Sequence, residues 1–266
     1  MRPTLTALAL LLALSAAVTP ARAQVVAQPD SGRLLVFVNE RPVANERYWW
    51  EPMGDSILIS ADHRFSESNE RGERRDFRKV MTLVLSSRDL GLLRYFSRQD
   101  YGEDQWNRGI LPGDTAMTYY HEMNGGGSAE RLTMPPGRLY VMDSRLFTLF
   151  DVVCRSLAYK QFEKRPLQTL SLFPDSLSPI RATVTVVGAD TMRTGTRRVP
   201  MRRYRYEDPS IGFDLWADLE GRLMRLDHAG SGLSVRLDLP APAAAPVKRR
   251  AVPAKPTPKP SAKPKS

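Results

Sequence analysis

Apolar and polar residues alternate by twos in run after run between Arg33 and Leu239, and one stretch in the middle breaks that rhythm. A period of two places successive side chains on opposite faces of a strand, so each run reads as a half-buried antiparallel strand. Such runs cover 33–40, 43–51, 56–65, 77–86, 92–97 and 115–123. After an Asn124-Gly125-Gly126-Gly127 turn come 130–134 and 138–142, then 167–173 and 180–187, a Gly188-Ala189-Asp190 turn, 191–196 and 202–206. The last block, Ile211 to Leu239, alternates from Ile211 to Asp218, turns at Leu219-Glu220-Gly221-Arg222, resumes from Leu223 to His228 and closes with Leu233-Ser234-Val235-Arg236-Leu237-Asp238-Leu239.

The exception runs from Ser144 to Glu163. Leu146, Phe147, Phe150, Val153, Cys154, Leu157 and Ala158 recur there at three- and four-residue spacing, with Arg145, Asp151, Arg155, Lys160 and Glu163 on the other side. This predicts an amphipathic helix, opened near Asp143 or Ser144 and closed by Pro166. One helix between two blocks of meander must bury its apolar stripe, and the concave face of a strongly curved sheet is the available place. The expected fold is therefore mainly β: a curved antiparallel sheet or incomplete barrel with one helix packed on its concave face, occupying residues 33–239 as a single domain.

The two ends read differently. Residues 1–23 have the charge, apolar run and Ala21-Arg22-Ala23 cleavage pattern of a secretory signal peptide, followed by a flexible segment over 24–32. The apolar run is too short to span a bilayer as a helix, so an exported protein of the periplasm or cell envelope is expected. The one cysteine, Cys154, leaves no partner for an intrachain disulfide and none at the cleavage point for a lipid anchor. Residues 240–266 are rich in Pro, Ala and Lys, the composition of a disordered, extended tail.

The net charge of +10 belongs mostly to these ends. Removing the tail and the signal peptide leaves about +1 on the folded part, which argues against a nucleic-acid-binding surface. A basic tail in the envelope would be drawn to anionic lipid or polymer instead.

No catalytic signature emerges. His121 has Gly125 rather than a second histidine four residues on, so a zinc site is not expected. Asp227-His228 lacks a recognisable nucleophile setting. Gly125-Gly126-Gly127-Ser128 lacks the Lys-Ser/Thr pair of a phosphate loop. Asp214, Asp218 and Glu220 could form an acid–base pair of the glycosidase kind, with 214 and 218 on one strand face, although turn composition explains them as well. Cys154 sits on the apolar stripe and reads as core. Among polar clusters, Arg202-Arg203-Tyr204-Arg205-Tyr206 is the best candidate for binding, since Arg203 and Arg205 share one face and could grip an anionic headgroup.

Two segments carry a family resemblance. Val36-Phe37-Val38-Asn39-Glu40-Arg41-Pro42-Val43-Ala44-Asn45-Glu46-Arg47-Tyr48 resembles the strand, N-G-x-P-x-G-x-E, strand opening of exported bacterial proteins of unknown function with a fold similar to the lipoprotein-carrier (Lol-type) superfamily. Phe213 to Leu223 is similar to their W-x-D-x-x-G-R-L hairpin, while Glu40 and Ala44 stand where those proteins tend to have glycine. The resemblance implies an incomplete barrel with a helix across its mouth and an apolar cavity for acyl chains; the matching motifs are turns, so no lipid-contact residue carries over. The expected function is non-enzymatic binding of a lipid, lipoprotein or other amphiphile, with Leu146, Phe147, Phe150, Val153 and Leu157 of the helix contacting the chain and Arg203 and Arg205 near the head. The alternative is an envelope scaffold tethered by its tail to anionic polymer. No metal, cofactor or catalytic residue is expected in either case.

Overall fold

The structure, a computed structural model, describes residues 28–68, 72–158, 160–172, 177–194 and 197–239. The expected signal peptide, residues 24–27 of the 24–32 segment and the basic tail lie outside the described residues.

The N-terminal half is a meander of β1 (Asp30–Val38), β2 (Arg41–Met53), β3 (Ser56–Ser68), β4 (Arg74–Ser86), β5 (Leu92–Tyr101), β6 (Asp104–Pro112), β7 (Ala116–Met123) and β8 (Gly126–Thr133). After β9 (Leu139–Met142) and helix α1 (Thr148–Leu157), a second meander follows. It comprises β10 (Lys164–Ser171), β11 (Ser178–Thr194), β12 (Arg197–Glu207), β13 (Gly212–Ala217), β14 (Leu223–His228) and β15 (Leu233–Leu237). Pairing of β1 with β15 joins the halves into one fifteen-stranded sheet, ordered β8 to β1 and then β15 down to β9. Every neighbouring pair is antiparallel except β9 and β10, which are parallel across the helical crossover.

The alternation read from sequence is what selects the inner face. On β3, Ile57, Ile59, Ala61 and His63 point inward; on β4, Phe77, Lys79, Met81, Leu83 and Leu85 do. The sheet curls until β9 packs on β5, and a gap of only about 10 Å³ remains between Leu83, Leu85, Leu92, Tyr140, Leu149 and Val152. That is about the least that would admit one water, so this side of the interior is full.

Several boundaries differ from expectation for identifiable reasons. Strand β1 begins at Asp30 rather than Arg33. Strand β6 went unrecognised because none of Asp104 to Gly109 is fully buried, so the run does not alternate. The Gly188-Ala189-Asp190 segment does not turn the chain: β11 runs through it with a bulge between Val186 and Gly188. The helix is shorter than 144–163. Arg145 has a left-handed φ of 62°, incompatible with a helical start at 144, and beyond Leu157 the Ala158 carbonyl accepts from Arg202 Nη1 at 2.9 Å. Pro166 belongs to β10, beyond the reach of β9, where its missing N–H costs no ladder bond.

The helix also lacks the solvent face its sequence suggests. Every residue from Thr148 to Leu157 except Arg155 is buried, Asp151 included. The helix is a plug inside the sheet rather than a cover over it.

Candidate ligand-binding cavity

The plug does not fill the whole interior. A cavity of about 740 Å³ remains at one mouth, bounded by the β1–β2 hairpin, the end of β3, the segment leading into α1 and the starts of β13 and β15. Twelve of its eighteen lining residues are apolar. Val38 and Val43, 36% and 43% exposed, stand among the lining residues and open the space toward solvent. Phe147, Phe150, Phe213 and Leu233 form deeper walls, with Phe150 edge-on to Phe213 at 4.9 Å and to Tyr206 at 5.3 Å.

The position of the helix, and therefore the size of the cavity, depends on two buried polar anchors. Phe147 provides no side-chain cap; Glu46 of β2 reaches across instead. Its carboxylate accepts from the Thr148 amide at 2.7 Å, the Phe147 amide at 2.9 Å and the Thr148 hydroxyl. A fully buried carboxylate is tolerable there because it meets the positive end of the helix and otherwise orphaned amides. Glu46 is the last residue of the N-x-x-P-x-x-x-E opening motif, so the motif holds the helix as well as making a hairpin. That hairpin turns at Asn39-Glu40, both with positive φ, so Glu40 adopts the conformation that glycine would favour.

The second anchor comes from the closing hairpin. Asp151 accepts from the Leu223 amide at 2.6 Å and from Arg155 at 2.8 Å, and burial raises its carboxyl above the usual range despite Arg155. Arg155 continues to Asp30 and stacks over Trp50, while Arg222 donates to Tyr48 Oη at 2.9 Å and to the Ser31 carbonyl at 2.8 Å. The W-x-D-x-x-G-R-L segment is thus the seat of the helix.

A third polar group lies where the chain enters the helix. Asp143, expected as a cap, instead accepts from Lys79 Nζ at 2.6 Å, Ser97 Oγ at 3.1 Å and Tyr95, with Arg108 at 3.7 Å. Lys79 also donates to the Ser144 carbonyl at 3.0 Å, and burial pulls its ammonium below the usual lysine value against the attraction of Asp143. Next to this group Arg145 is exposed, its guanidinium 4.8 Å from the Phe65 ring centre and 4.6 Å from that of Phe77.

Of the residues expected at a ligand site, Leu146, Phe147 and Phe150 line the cavity, whereas Val153 and Leu157 lie deeper in the core. Arg203 and Arg205 are elsewhere. They project from the outer face of β12, both against Asp214, and Arg203 lies over the Trp216 ring, which Arg225 covers as well. Tyr204 and Tyr206, one residue out of phase, point inward and are buried. Arg145, His63 and Glu67 line the cavity and Glu46 holds the start of the helix; sequence reasoning selected none of them for a site. For Glu46 and His63 the signal was a polar residue on an otherwise apolar strand face, whereas Arg145 stood on the polar side of the expected helix and gave none.

The other chemical candidates are dispersed. His63 is packed among Phe65, Phe77 and Phe147, its Nδ1 3.4 Å from Glu46 without a hydrogen bond. His121 meets Ser128, and His228 meets Ser231 while Asp227 turns to Arg225. Asp214 and Asp218 do not share a strand face: β13 ends at Ala217, and Asp218 caps the turn by accepting from the Arg222 amide at 2.8 Å. The Cys154 thiol is fully buried, and burial pushes it well above its ordinary pKa. Among the described residues no group of three or more His, Cys, Asp or Glu could hold a metal, and no helix is long and apolar enough to cross a membrane.

The curled sheet with an inner helix has a counterpart among solved structures. A β-barrel-like protein of the domain of unknown function DUF1849 from Brucella abortus superposes with a TM-score of 0.56 over 79% of this chain and 94% of its own, at 7% identity. The likeness is one of fold. A DUF1089 family protein from Pseudomonas aeruginosa gives a TM-score of 0.41 at 12% identity, covering 70% of this chain and 90% of its own. No protein-family model and no curated protein matches the sequence.

Proposed function

We propose that this protein binds a lipid or other single-chain amphiphile in the cavity beside α1 and does so as a carrier or sensor rather than as a catalyst. The observation that carries the reading is an apolar-walled space of about 740 Å³ left open beside α1. Natural interiors hold few voids larger than a water molecule, so an open space of this size invites an occupant. The three histidines lie apart from one another, and the Glu46 carboxylate beside His63 is spent on the helix amides, which supports binding over chemistry. Export to the envelope, argued from residues 1–23, would place the protein beside membrane lipid and acylated proteins, and the resemblance of its two end motifs to the lipoprotein-carrier superfamily points the same way.

The neutral probe N-phenyl-1-naphthylamine, whose emission rises in apolar surroundings, tests this. One saturable site per chain is expected, and Ala44→Phe, which fills the space from β2, is expected to weaken it by about ten-fold with the fold retained. A chain that shows no saturable binding of the probe would overturn the proposal.

A further inference from the structure

We infer that the amphiphile this cavity takes carries an anionic head, a carboxylate or phosphate on one apolar chain, and that Arg145 is the residue that recognises it; this rests on the reading of the cavity as an amphiphile site.

Arg145 lines the cavity and is held there by its backbone and its stacking together. Its φ of 62° is a conformation that side chains with a Cβ seldom adopt, and it directs the guanidinium onto the faces of Phe65 and Phe77. Stacking engages the flat face of a guanidinium and leaves the N–H fork in its plane available for an acceptor. Other arginines around this sheet use that fork on a carboxylate, as Arg33 does on Asp238, Arg155 on Asp30 and Arg236 on Glu40. No carboxylate among the described residues forms such a pair with Arg145.

The other positive groups at this mouth are already engaged. The first amides of α1 are satisfied by Glu46, and Lys79 is spent on Asp143 and Ser144. An acceptor brought by a ligand would therefore find its matching donors at Arg145, in the bidentate geometry that suits carboxylate and phosphate. A cationic head would turn instead to Glu67, which also lines the cavity and accepts from the Tyr101 hydroxyl. An apolar chain running from Arg145 past Phe147 and Phe150 would occupy the deeper wall.

Calorimetric titration of the purified chain below micellar concentrations separates these possibilities. The probes are dodecanoate, dodecyl phosphate, dodecanol and dodecyltrimethylammonium, with inorganic phosphate as a head lacking a chain. The two anions are expected to bind about ten-fold or more tightly than dodecanol, and inorganic phosphate not measurably. Arg145→Gln should bring the anions to within about two-fold of dodecanol while leaving dodecanol itself unchanged, which also verifies that the variant is folded; Arg145→Lys should keep part of the preference. Equal binding of anion and alcohol by the native chain, a preference for the cation, or an anion preference that survives Arg145→Gln would overturn the inference and leave the amphiphile reading standing. If dodecanol and the anions all fail to bind, the amphiphile reading falls and this inference falls with it.

Discussion

At Gly221 a side chain would have nowhere to go. The backbone turns there with φ of 86°, and a Cβ would lie 2.7 Å from both Ala158 Cβ and Arg155 Cα and 2.8 Å from the Cys154 carbonyl. Two costs therefore coincide in Gly221→Ala: a left-handed backbone that an L side chain resists, and a clash with helix backbone that cannot rotate away. Together they are expected to cost about 3 kcal/mol or more of stability, measured by urea unfolding. An unchanged midpoint would mean that the helix is not seated on this turn in solution. The turn itself was legible, because Asp218 to Gly221 has turn composition. Its contact with a helix sixty-odd residues earlier was not, since nothing local distinguishes a glycine needed for φ from one needed for close approach. Arg203 and Arg205 illustrate the same limit from the other side. Period-two spacing correctly separated them from Tyr204 and Tyr206, but which face was concave depended on how the whole sheet curled.

At the level of elements, the helix was recognisable from its apolar spacing while its start was not. Asp143 has cap chemistry and the expected position, yet it is used by Lys79, Tyr95 and Ser97, and the cap arrives from Glu46 about a hundred residues upstream. Long-range caps of this kind leave no local trace beyond a buried acid in a strand. Glu46→Gln tests the arrangement with nearly no change of volume. One amide oxygen can still accept, but the other position becomes an NH₂ donor facing an N–H, and the helix loses the negative charge at its positive end. A loss of about 1–3 kcal/mol is expected, with the Phe147 and Thr148 amides losing protection from hydrogen exchange ahead of the sheet. Stability and protection that match the native chain would show that the helix start is held by something else.

For the whole molecule, the curled β fold around one helix was legible because most strands bury one face only and therefore alternate. What joins the two meanders, the β1–β15 pairing, was not, since residues 34–38 pair with residues 233–237, about two hundred positions away along the chain, without any local signal. That closure determines which phenols become interior, and it has a consequence at high pH. Tyr48, Tyr95, Tyr204, Tyr206 and the Cys154 thiol all have raised pKa values, with burial the first cause in each; Asp151, Asp143 and Asp208 add to it for Tyr48, Tyr95 and Tyr206 respectively. An acid whose folded pKa lies above its unfolded value keeps its proton in the fold after the open chain has released it. The stability of the fold is therefore undiminished below the unfolded values, about 8.5 for the thiol and about 10 for the phenols, and falls as pH rises past them, by up to about 1.4 kcal/mol per pH unit for each group. Lys79 opposes this with one proton, because its lowered pKa makes stability rise with pH up to the unfolded lysine value of about 10.4. Lys160, lowered by partial burial, acts in the same sense, and five groups against these two predict stability that is nearly level to about pH 9 and then drops. Tyr204→Phe is the sharpest probe, because the Tyr204 hydroxyl is buried without a geometrically formed hydrogen bond and only the Arg202 guanidinium lies close enough to interact with it. Guanidinium unfolding from about pH 8 to 11 should show this variant at least as stable as the native chain near neutrality and less steep above pH 10, by up to about 1.4 kcal/mol per unit. A native chain whose stability stays level through pH 11, or a variant that follows it in parallel, would mean that these rings reach water and that the sheet does not close as described.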